Sequence, residues 1–377
     1  MVKFFTTSIT IVVLTFAAVK AQTPIVISQY PPINTIPSVD SPEVKAWLAE
    51  IGDLSGAPQI PLPNPTAQPP PCAKNPLPNE CHWTCDGCSA DDITSCAAPN
   101  TWGLTFDDGP STATPTLLDY LKGQKLSATF FVIGSNVIQY PQTIIREITE
   151  GHHLASHTWS HHALTTLTNE QIVAEMKWTE KAVLAATGLK LKYMRPPYGD
   201  INNRVRYVLK KMGYIPVDWT GDAFDTTDWK LPGITEATVV ANFGKSLDTY
   251  VAGNKTKGFY CLEHDLNAFT VKAAQRLVPL GISKGIKIAS VAQCESDAQP
   301  YQLAGTAPMP SISGVSPVPT GNSGTTPSGT SGASPSGTKS AGTTGPSVVG
   351  GKTNSAAPQT AGFLTVAAAV LVGAALA

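Results

Sequence analysis

The chain of 377 residues contains little charge and no excess of either sign. Asp, Glu, Lys and Arg together make up 14% of the residues, and 26 basic against 27 acidic side chains leave a formal net charge of −1. A protein that binds nucleic acid neutralises phosphates with a surplus of Lys and Arg. The composition therefore argues against that class, and we expect no nucleic-acid partner.

Neither end of the chain has an apolar run that is typical of a membrane-spanning helix. The first run, Phe4 to Val19, is interrupted by hydroxyl side chains, follows Lys3 and precedes the small residue Ala21. This arrangement predicts a secretory signal peptide over residues 1–21, so we expect the protein to be secreted.

The carboxyl-terminal run is short as well and favours a lipid anchor. Residues Phe363 to Ala377 are rich in Ala and barely long enough to span a bilayer. Small residues that begin at Asn354, a polar spacer and this terminal tail are the layout of a GPI-anchor signal. We expect the lipid on Asn354, removal of residues 355–377 and membrane association through this lipid only. A tail-anchored membrane helix is the alternative.

Gly and Pro are abundant, with 31 and 32 residues, and many of them lie outside any expected core. Most residues between Ala304 and Gly350 are Gly, Ser, Thr or Pro. Such a stretch cannot bury enough apolar surface to offset its chain entropy. We therefore predict a disordered stalk over residues 296–354.

Residues 22–97 form a second unusual segment, a proline-rich and cysteine-containing extension that we expect to be mostly non-globular. One short helix is predicted within it, opening at Ser41-Pro42-Glu43 and ending at Gly52. Residues 98–295 then remain as one globular domain, although the length alone would suggest two domains.

The cysteines that precede the globular region predict disulfides. Cys81, Cys85 and Cys88 have a spacing that could bind zinc in a cytosolic protein. In a secreted chain disulfides are the better interpretation, so these three and Cys72 would form a small disulfide-bonded knot.

Four further residues complete the covalent predictions. We expect Cys96 to pair with Cys294 and tie together the two ends of the globular region, and Cys261 to remain a free thiol in the core. Asn254 lies in the only N-glycosylation sequon, which indicates an exposed loop.

The globular region alternates short apolar runs with helical periods. Strands are predicted at Trp102–Phe106, Ala128–Ile133, His153–Ser156, Lys192–Met194, Tyr214–Val217, Phe259–Leu262 and Ile286–Ser290. The clearest helix runs from Thr168 to Ala186, with a capping box at its start and Gly188 at its end. Because repeated strand–helix alternation implies a parallel sheet, we expect an α/β fold closed into a compact (β/α) barrel. An open doubly wound sheet is the alternative.

Polar clusters follow several of these strands. They are Asp107-Asp108, His157 with His161, Arg195, and His264-Asp265. In a (β/α) barrel the carboxyl ends of the strands form one face, where active sites gather. The placement therefore predicts that these clusters share one site.

Two of the clusters together suggest a metal site of the catalytic type. His157 and His161 are four residues apart, which would place both imidazoles on one face of a helical turn. Thr158 stands where a metalloprotease helix has Glu, so a base must come from elsewhere and Asp107 is available. Two His and one carboxylate suit Zn²⁺, and Co²⁺ fits the same donors.

Five ordered segments resemble the polysaccharide deacetylases of carbohydrate esterase family four, and most closely the GPI-anchored fungal chitin deacetylases. They are Thr105–Pro110, His157–His161, Arg195–Gly199, Asp225–Trp229 and Leu262–Asp265. The resemblance covers about residues 100 to 295. It implies a distorted (β/α) barrel and metal-dependent hydrolysis of N- or O-acetyl groups on polysaccharides, usually with zinc.

The resemblance also implies a role for each matching residue. The metal ligands would be Asp108, His157 and His161. The acid–base residues would be Asp107 as general base, Arg195 to orient it, His264 as general acid, and Asp225 to tune His264. The substrate contacts would be the backbone N–H of Tyr198 for the oxyanion, with Trp229 and Leu262 lining the pocket for the acetyl methyl group.

These roles lead to an expected function in the fungal cell wall. The protein would remove N-acetyl groups from chitin or chito-oligosaccharides to give chitosan and acetate, while anchored at the plasma membrane and cell wall. The alternatives are another acetylated polysaccharide, acetylxylan or peptidoglycan, and a wall protein that only binds glycan. No base or ligand residue of the motifs is missing, which argues against a pure binder.

Overall fold

A computed structural model describes residues 24–63, 67–74 and 76–302. The signal peptide, most of the predicted stalk, Asn354 and residues 355–377 lie outside these ranges. Among the helices that the structure describes, none is both long and apolar enough to cross a membrane.

Ten short strands account for the sheets of the described region. They are β1 Thr101–Gly103, β2 Thr105–Asp107, β3 Thr129–Val132, β4 His153–Ser156, β5 Lys190–Leu191, β6 Tyr193–Met194, β7 Ile215–Pro216, β8 Phe259–Tyr260, β9 Lys287–Ala289 and β10 Tyr301–Gln302. Eight of these ten strands lie at the seven runs that the sequence predicts, with β1 and β2 both at the first run, and most are one or two residues shorter than predicted.

The strands form the predicted distorted (β/α) barrel. A parallel sheet has the order β2-β3-β4-β6-β7, and a second parallel sheet has the order β8-β1-β9. The two sheets join because β1 and β2 are separated only by Leu104. Isolated bridges between Asp107 and His264 and between Asp225 and Leu262 link them further. The barrel, and not an open doubly wound sheet, is the observed arrangement.

Ten helices accompany the strands in the same ranges. They are α1 Pro42–Ile51, α2 Trp83–Asp86, α3 Thr114–Gln124, α4 Gly134–Val137, α5 Pro141–Thr149, α6 Asn169–Thr187, α7 Asn203–Lys211, α8 Glu236–Ala252, α9 Ala268–Ser283 and α10 Val291–Cys294. The capping box of α6 forms as predicted, since Thr168 accepts from the N–H of Gln171 and Gly188 ends the helix in the left-handed region. Asn254, just beyond α8, is exposed.

The amino-terminal extension is more ordered than its composition predicts. Helix α1 begins after Ser41 and ends at Gly52, as expected, and its Val44 is fully buried against the core. Tyr30 stacks on Trp159 with the two ring centroids 6.0 Å apart. The prediction that residues 22–97 are mostly non-globular is therefore wrong for the described part, because these apolar side chains find partners on the barrel.

The globular domain also ends later in the chain than the sequence predicts. Strand β10 pairs antiparallel with β5, and the hydroxyl of Tyr301 accepts a hydrogen bond from the N–H of Leu154. The domain therefore extends at least to Gln302, beyond the boundary at residue 295 that the sequence predicts. Tyr301 supplies the reason, since its side chain is buried in the core.

The disulfides agree with the sequence prediction. Cys96 pairs with Cys294, while the knot consists of Cys72–Cys85 and Cys81–Cys88. Cys261 is a free, buried cysteine, and burial raises the pKa of its thiol well above the ordinary value.

Candidate active site

The polar clusters of the sequence meet at the carboxyl edge of the barrel. Asp107 is the last residue of β2, His157 follows β4, and Arg195 follows β6. His264 reaches the same edge through its bridge with Asp107. Because parallel strands end on one side, this arrangement collects residues that lie far apart in the sequence.

Asp108, His157 and His161 form a compact cluster with one donor atom of each residue within 4.8 Å of the others. Oδ1 of Asp108 lies 3.4 Å from Nε2 of His157 and 3.2 Å from Nε2 of His161. This oxygen is buried and, within the described residues, takes part in no hydrogen bond. An unpaired carboxylate oxygen that faces two imidazole nitrogens fits a divalent metal, because carboxylate and imidazole are its ordinary ligands.

The protonation of the cluster suits metal binding. Nδ1 of His157 lies 2.8 Å from the carbonyl oxygen of Arg195, so this nitrogen carries the proton and Nε2 keeps its lone pair. Burial lowers the pKa of His161 to about 4, which leaves the imidazole neutral at pH 7. Burial raises the pKa of Asp108, but the imidazoles of His161 and His157 outweigh it and hold that pKa far below its usual range.

The two histidines reach the cluster from a loop. We call residues 157–163 the metal loop; it follows β4 without helical structure. Thr158 has φ 66° and His161 has φ 58°, values of the left-handed region that cannot occur within a right-handed helical turn. The prediction of a helical turn is therefore wrong, although the two side chains converge as expected.

Glu175 of α6 binds the backbone of the metal loop. Its Oε2 accepts hydrogen bonds from the N–H groups of Trp159 and Ser160, both at 2.8 Å, and its Oε1 accepts from the Ser160 hydroxyl. Burial raises the pKa of Glu175 to about 7. The sequence analysis does not predict a role for Glu175. A signal was available, because Glu175 lies on the apolar face of α6, one turn after Ile172, where a charged residue is unexpected.

Asp107 lies beside the cluster and contacts Arg195. Nη1 of Arg195 donates to Oδ1 of Asp107 at 2.8 Å and to the Thr105 hydroxyl at 2.9 Å, while its Nε donates to the carbonyl oxygen of Val217. Oδ2 of Asp107 lies 4.0 Å from Nε2 of His157. Both Asp107 and Arg195 are buried, so the guanidinium holds one carboxylate oxygen while the other faces the metal cluster.

His264 is paired with Asp228. Nδ1 of His264 lies 2.7 Å from Oδ1 of Asp228, and the His264 N–H donates to Oδ2 of the same carboxylate at 3.1 Å. Burial lowers the pKa of His264, but the Asp228 carboxylate, with smaller contributions from Asp108 and Asp107, outweighs this effect and raises the pKa to about 10. The imidazole is therefore protonated at neutral pH.

The pairing corrects the role that the sequence predicts for Asp225. Oδ1 of Asp225 accepts from the N–H of Thr227 at 2.8 Å and from Nε1 of Trp229 at 3.2 Å. Asp225 therefore orients the indole of Trp229, and Asp228 takes the place beside His264. Both carboxylates lie in one short segment, and spacing alone could not decide between them.

The remaining predicted contacts, Trp229, Leu262 and Tyr198, lie around the same edge. Trp229 is 48% exposed, whereas Leu262 is buried and bridges to Asp225. The ring of Tyr198 lies 4.6 Å from that of His161 between centroids, and its backbone has φ 62°. The structure thus places the three residues near the metal loop and the His264–Asp228 pair, and it adds Asp228 and Glu175 to the set.

Gly109 and Asp265 explain why a glycine follows Asp108. A Cβ atom at Gly109 would lie 2.2 Å from Oδ2 of Asp265, so no side chain fits there. The Asp265 carboxyl is buried and accepts a hydrogen bond from the Thr114 hydroxyl, and burial raises its pKa to about 7. Asp265 therefore supports the turn that presents Asp108.

Comparisons with known proteins agree with this geometry. A family model for polysaccharide deacetylase matches residues 94–217. The chain is 39% identical over 290 residues to chitin deacetylase 1 of Cryptococcus neoformans var. grubii, which covers 74% of this chain and 61% of that protein. It is 38% identical over 219 residues to chitin deacetylase 1 of Saccharomyces cerevisiae, which covers 58% of this chain and 68% of that protein.

A solved structure shares the fold. The chitin deacetylase from the fungal pathogen Colletotrichum lindemuthianum matches with a TM-score of 0.51 and 32% identity, over 56% of this chain and 95% of that one. The chain spans about three fifths of the length of the Cryptococcus protein. On these similarities, and with the predicted motifs meeting at one site, the chain belongs to the polysaccharide deacetylase family.

Proposed function

We propose that the protein is a metal-dependent amide hydrolase that removes N-acetyl groups from chitin, leaving chitosan and releasing acetate. The observation that carries the proposal is the Asp108–His157–His161 cluster with Asp107 beside it and a protonated His264 at the same edge. The similarity to proteins named chitin deacetylases supports chitin as the substrate.

Asp108, His157 and His161 would hold the metal. Zn²⁺ suits two imidazoles and one carboxylate, and Co²⁺ fits the same donors. Bound there, the ion would polarise the acetyl carbonyl and make water more acidic.

The side chains of this chain supply the proton transfers. Asp107 takes a proton from the attacking water through Oδ2, because Oδ1 is occupied by Arg195. His264 donates its proton to the departing nitrogen, and the Asp228 carboxylate keeps the imidazole charged until then. The backbone N–H of Tyr198 stabilises the negative charge that develops on the carbonyl oxygen.

Trp229 and Leu262 would contact the substrate next to the acetyl group. The indole is half exposed and is held by Asp225, so it offers an oriented apolar face to a sugar ring. Leu262 is buried at the base of the same edge and would contact the acetyl methyl group.

Acetate release tests the proposal directly. The purified protein should release acetate from N-acetylated chito-oligosaccharides, lose this activity with a chelator and regain it on addition of zinc. The Asp107→Asn variant is the matched control, because it should bind zinc normally and release no acetate. Release from acetylxylan alone would contradict the substrate, and glycan binding without any release would contradict catalysis.

We also propose where the protein acts. The signal peptide over residues 1–21 would direct secretion, and a GPI lipid on Asn354 would tether the enzyme at the plasma membrane within the cell wall. Asn254 would carry an N-linked glycan. The exposed position of Asn254 supports the glycan. Mass spectrometry of the mature protein after phospholipase release would check all three modifications.

A further inference from the structure

The backbone at Tyr198 has an unusual conformation that needs external support. Tyr198 and the next residue, Gly199, both have positive φ, at 62° and 64°. The left-handed region is unfavourable for a residue with a Cβ atom and persists only where neighbouring groups hold it. Neighbouring groups must therefore hold the backbone of this loop.

The support comes from residues 79–88, which we call the clamp segment. The Thr84 hydroxyl lies 2.7 Å from the carbonyl oxygen of Gly199 and 3.2 Å from that of Tyr198. The N–H of Trp83 donates to the carbonyl oxygen of Ile201 at 3.1 Å. A Cβ atom at Gly199 would lie 2.8 Å from Cδ1 of Trp83, so the two segments are in tight contact.

A buried pair anchors the same contact. Nε2 of His82 donates to Oδ1 of Asp200 at 2.9 Å, and both side chains are buried. Asp200 also accepts from the N–H and the hydroxyl of Thr165. Residues 82–84 therefore contact four consecutive residues of the loop, 198–201.

The clamp segment is itself rigid. Cys81 and Cys85 stand on either side of residues 82–84, and both belong to disulfides. Arg206 of α7 donates to the carbonyl oxygens of Cys81 and Cys88. A covalently closed segment that is bound to a core helix can hold a neighbouring backbone in a strained conformation.

We propose that the clamp segment positions the Tyr198 N–H for catalysis, with Thr84 and His82 as positioning residues. This inference rests on the proposed function, because it assigns the clamp to the same site. The segment precedes the part of the chain that the polysaccharide deacetylase model matches, residues 94–217. On this proposal, the disulfide-bonded part of the extension positions a group of the active site.

Thr84 offers a clean test because Val has the same shape without the hydroxyl. Thr84→Val should lower kcat at least tenfold with little change in KM or in zinc affinity, because only the oxyanion donor is displaced. Thr84→Ser keeps the hydroxyl and should retain near-normal kcat. Hydrogen exchange of the peptide that contains residues 195–201 should be faster in Thr84→Val than in Thr84→Ser.

Two variants of His82 test the inference independently of Thr84. His82→Leu should lower kcat in the same way, and His82→Gln, which keeps a donor, should restore part of it. Wild-type kcat in both Thr84→Val and His82→Leu would overturn the inference, whatever the exchange shows. If the unaltered protein releases no acetate, the proposed function fails, and unchanged hydrogen exchange in Thr84→Val would then overturn the clamp separately.

Discussion

At the residue scale, the charge of His264 depends on the balance between burial and the nearby carboxylates, of which Asp228 contributes most. Burial disfavours the imidazolium, but Asp228 at 2.7 Å, together with the more distant Asp108 and Asp107, outweighs burial and raises the pKa of His264 to about 10. A general acid is active only while it is protonated. Activity that depends on His264 is therefore present below this pKa and is lost as the pH rises through it.

The choice between Asp228 and Asp225 leads to a prediction on pH dependence. Asp228→Asn removes the charge beside His264, so the pKa of His264 falls and the alkaline limb of kcat moves to lower pH. We expect kcat at pH 7 to fall by about 10²-fold, the usual scale of general acid catalysis. A pH profile of acetate release measures both effects.

Asp225→Asn is the matched control for this experiment. It leaves the Asp228 contact intact, and its amide oxygen can still accept from Nε1 of Trp229, so the alkaline limb and KM should both stay close to those of the unaltered protein. A shift of the limb in Asp225→Asn and not in Asp228→Asn would restore the pairing that the sequence predicts.

At the element scale, the metal loop depends on α6 for its shape. The loop has two non-glycine residues at positive φ, and Glu175 satisfies two of its N–H groups. Outer partners of this kind orient metal ligands without touching the ion. Helix α6 would thus supply a part of the proposed metal site, because Glu175 supports the loop although it lies more than ten residues from the nearest proposed ligand, His161.

Removal of the Glu175 carboxylate should therefore weaken metal binding. We expect Glu175→Ala to lower zinc affinity by about 10–100-fold, as loss of outer partners does in other metal sites. Glu175→Gln should retain most of the affinity, because its amide oxygen can accept from both N–H groups. Competition with a chromophoric chelator measures the dissociation constants.

Val183→Ala distinguishes this effect from general loss of stability. Val183 is buried on the same helix beyond the loop, so its truncation should lower the free energy of unfolding and leave zinc affinity unchanged. Equal zinc affinity in Glu175→Ala and the unaltered protein would contradict the role of Glu175.

Elements with strong local signals were predictable. Helix α6 follows from Thr168, Gln171 and Gly188, because caps act within one helical turn. The strand ends that carry Asp107 and His157 follow from short apolar runs. The metal loop did not follow, since a four-residue spacing between histidines is compatible with a helical turn and with a loop that has residues at positive φ.

At the scale of the whole molecule, the Cys96–Cys294 disulfide joins the two ends of the barrel. It closes a segment of 198 residues, whereas Cys72–Cys85 closes one of 13. Cross-linking lowers the chain entropy of the unfolded state, and more so for longer loops. The long disulfide should therefore contribute more to stability than the short one.

The double variant Cys96→Ser/Cys294→Ser should lower the free energy of unfolding by about 2–5 kcal/mol. Cys72→Ser/Cys85→Ser should lower it by less. Urea unfolding followed by Trp fluorescence gives both values. A larger loss in the second variant would show that native-state contacts of the knot outweigh the loop entropy.

The extension shows most clearly what composition alone misses. Its many prolines indicate an extended, unpacked segment, because such a sequence has little hydrophobic periodicity. In the structure Tyr30, Val44 and Trp83 each pack on the barrel or its loops. Tyr30 and Trp83 are isolated apolar side chains that give no periodic signal, whereas Val44 belongs to the predicted helix, whose packing partner only the folded barrel provides.

The sequence alone predicted the (β/α) barrel, the strand ends that carry Asp107 and His157, and the disulfide between Cys96 and Cys294, and the structure has all three. The strand positions follow from local apolar runs, whereas the roles expected of the site residues follow from motifs that resemble those of the polysaccharide deacetylases. The tertiary structure alone decided that Asp228 and not Asp225 pairs with His264, that Glu175 holds the metal loop, and that Thr84 contacts the Tyr198 backbone. Those contacts join residues from separate segments, and only the packing of the folded chain determines which of several similar side chains comes within hydrogen-bond distance.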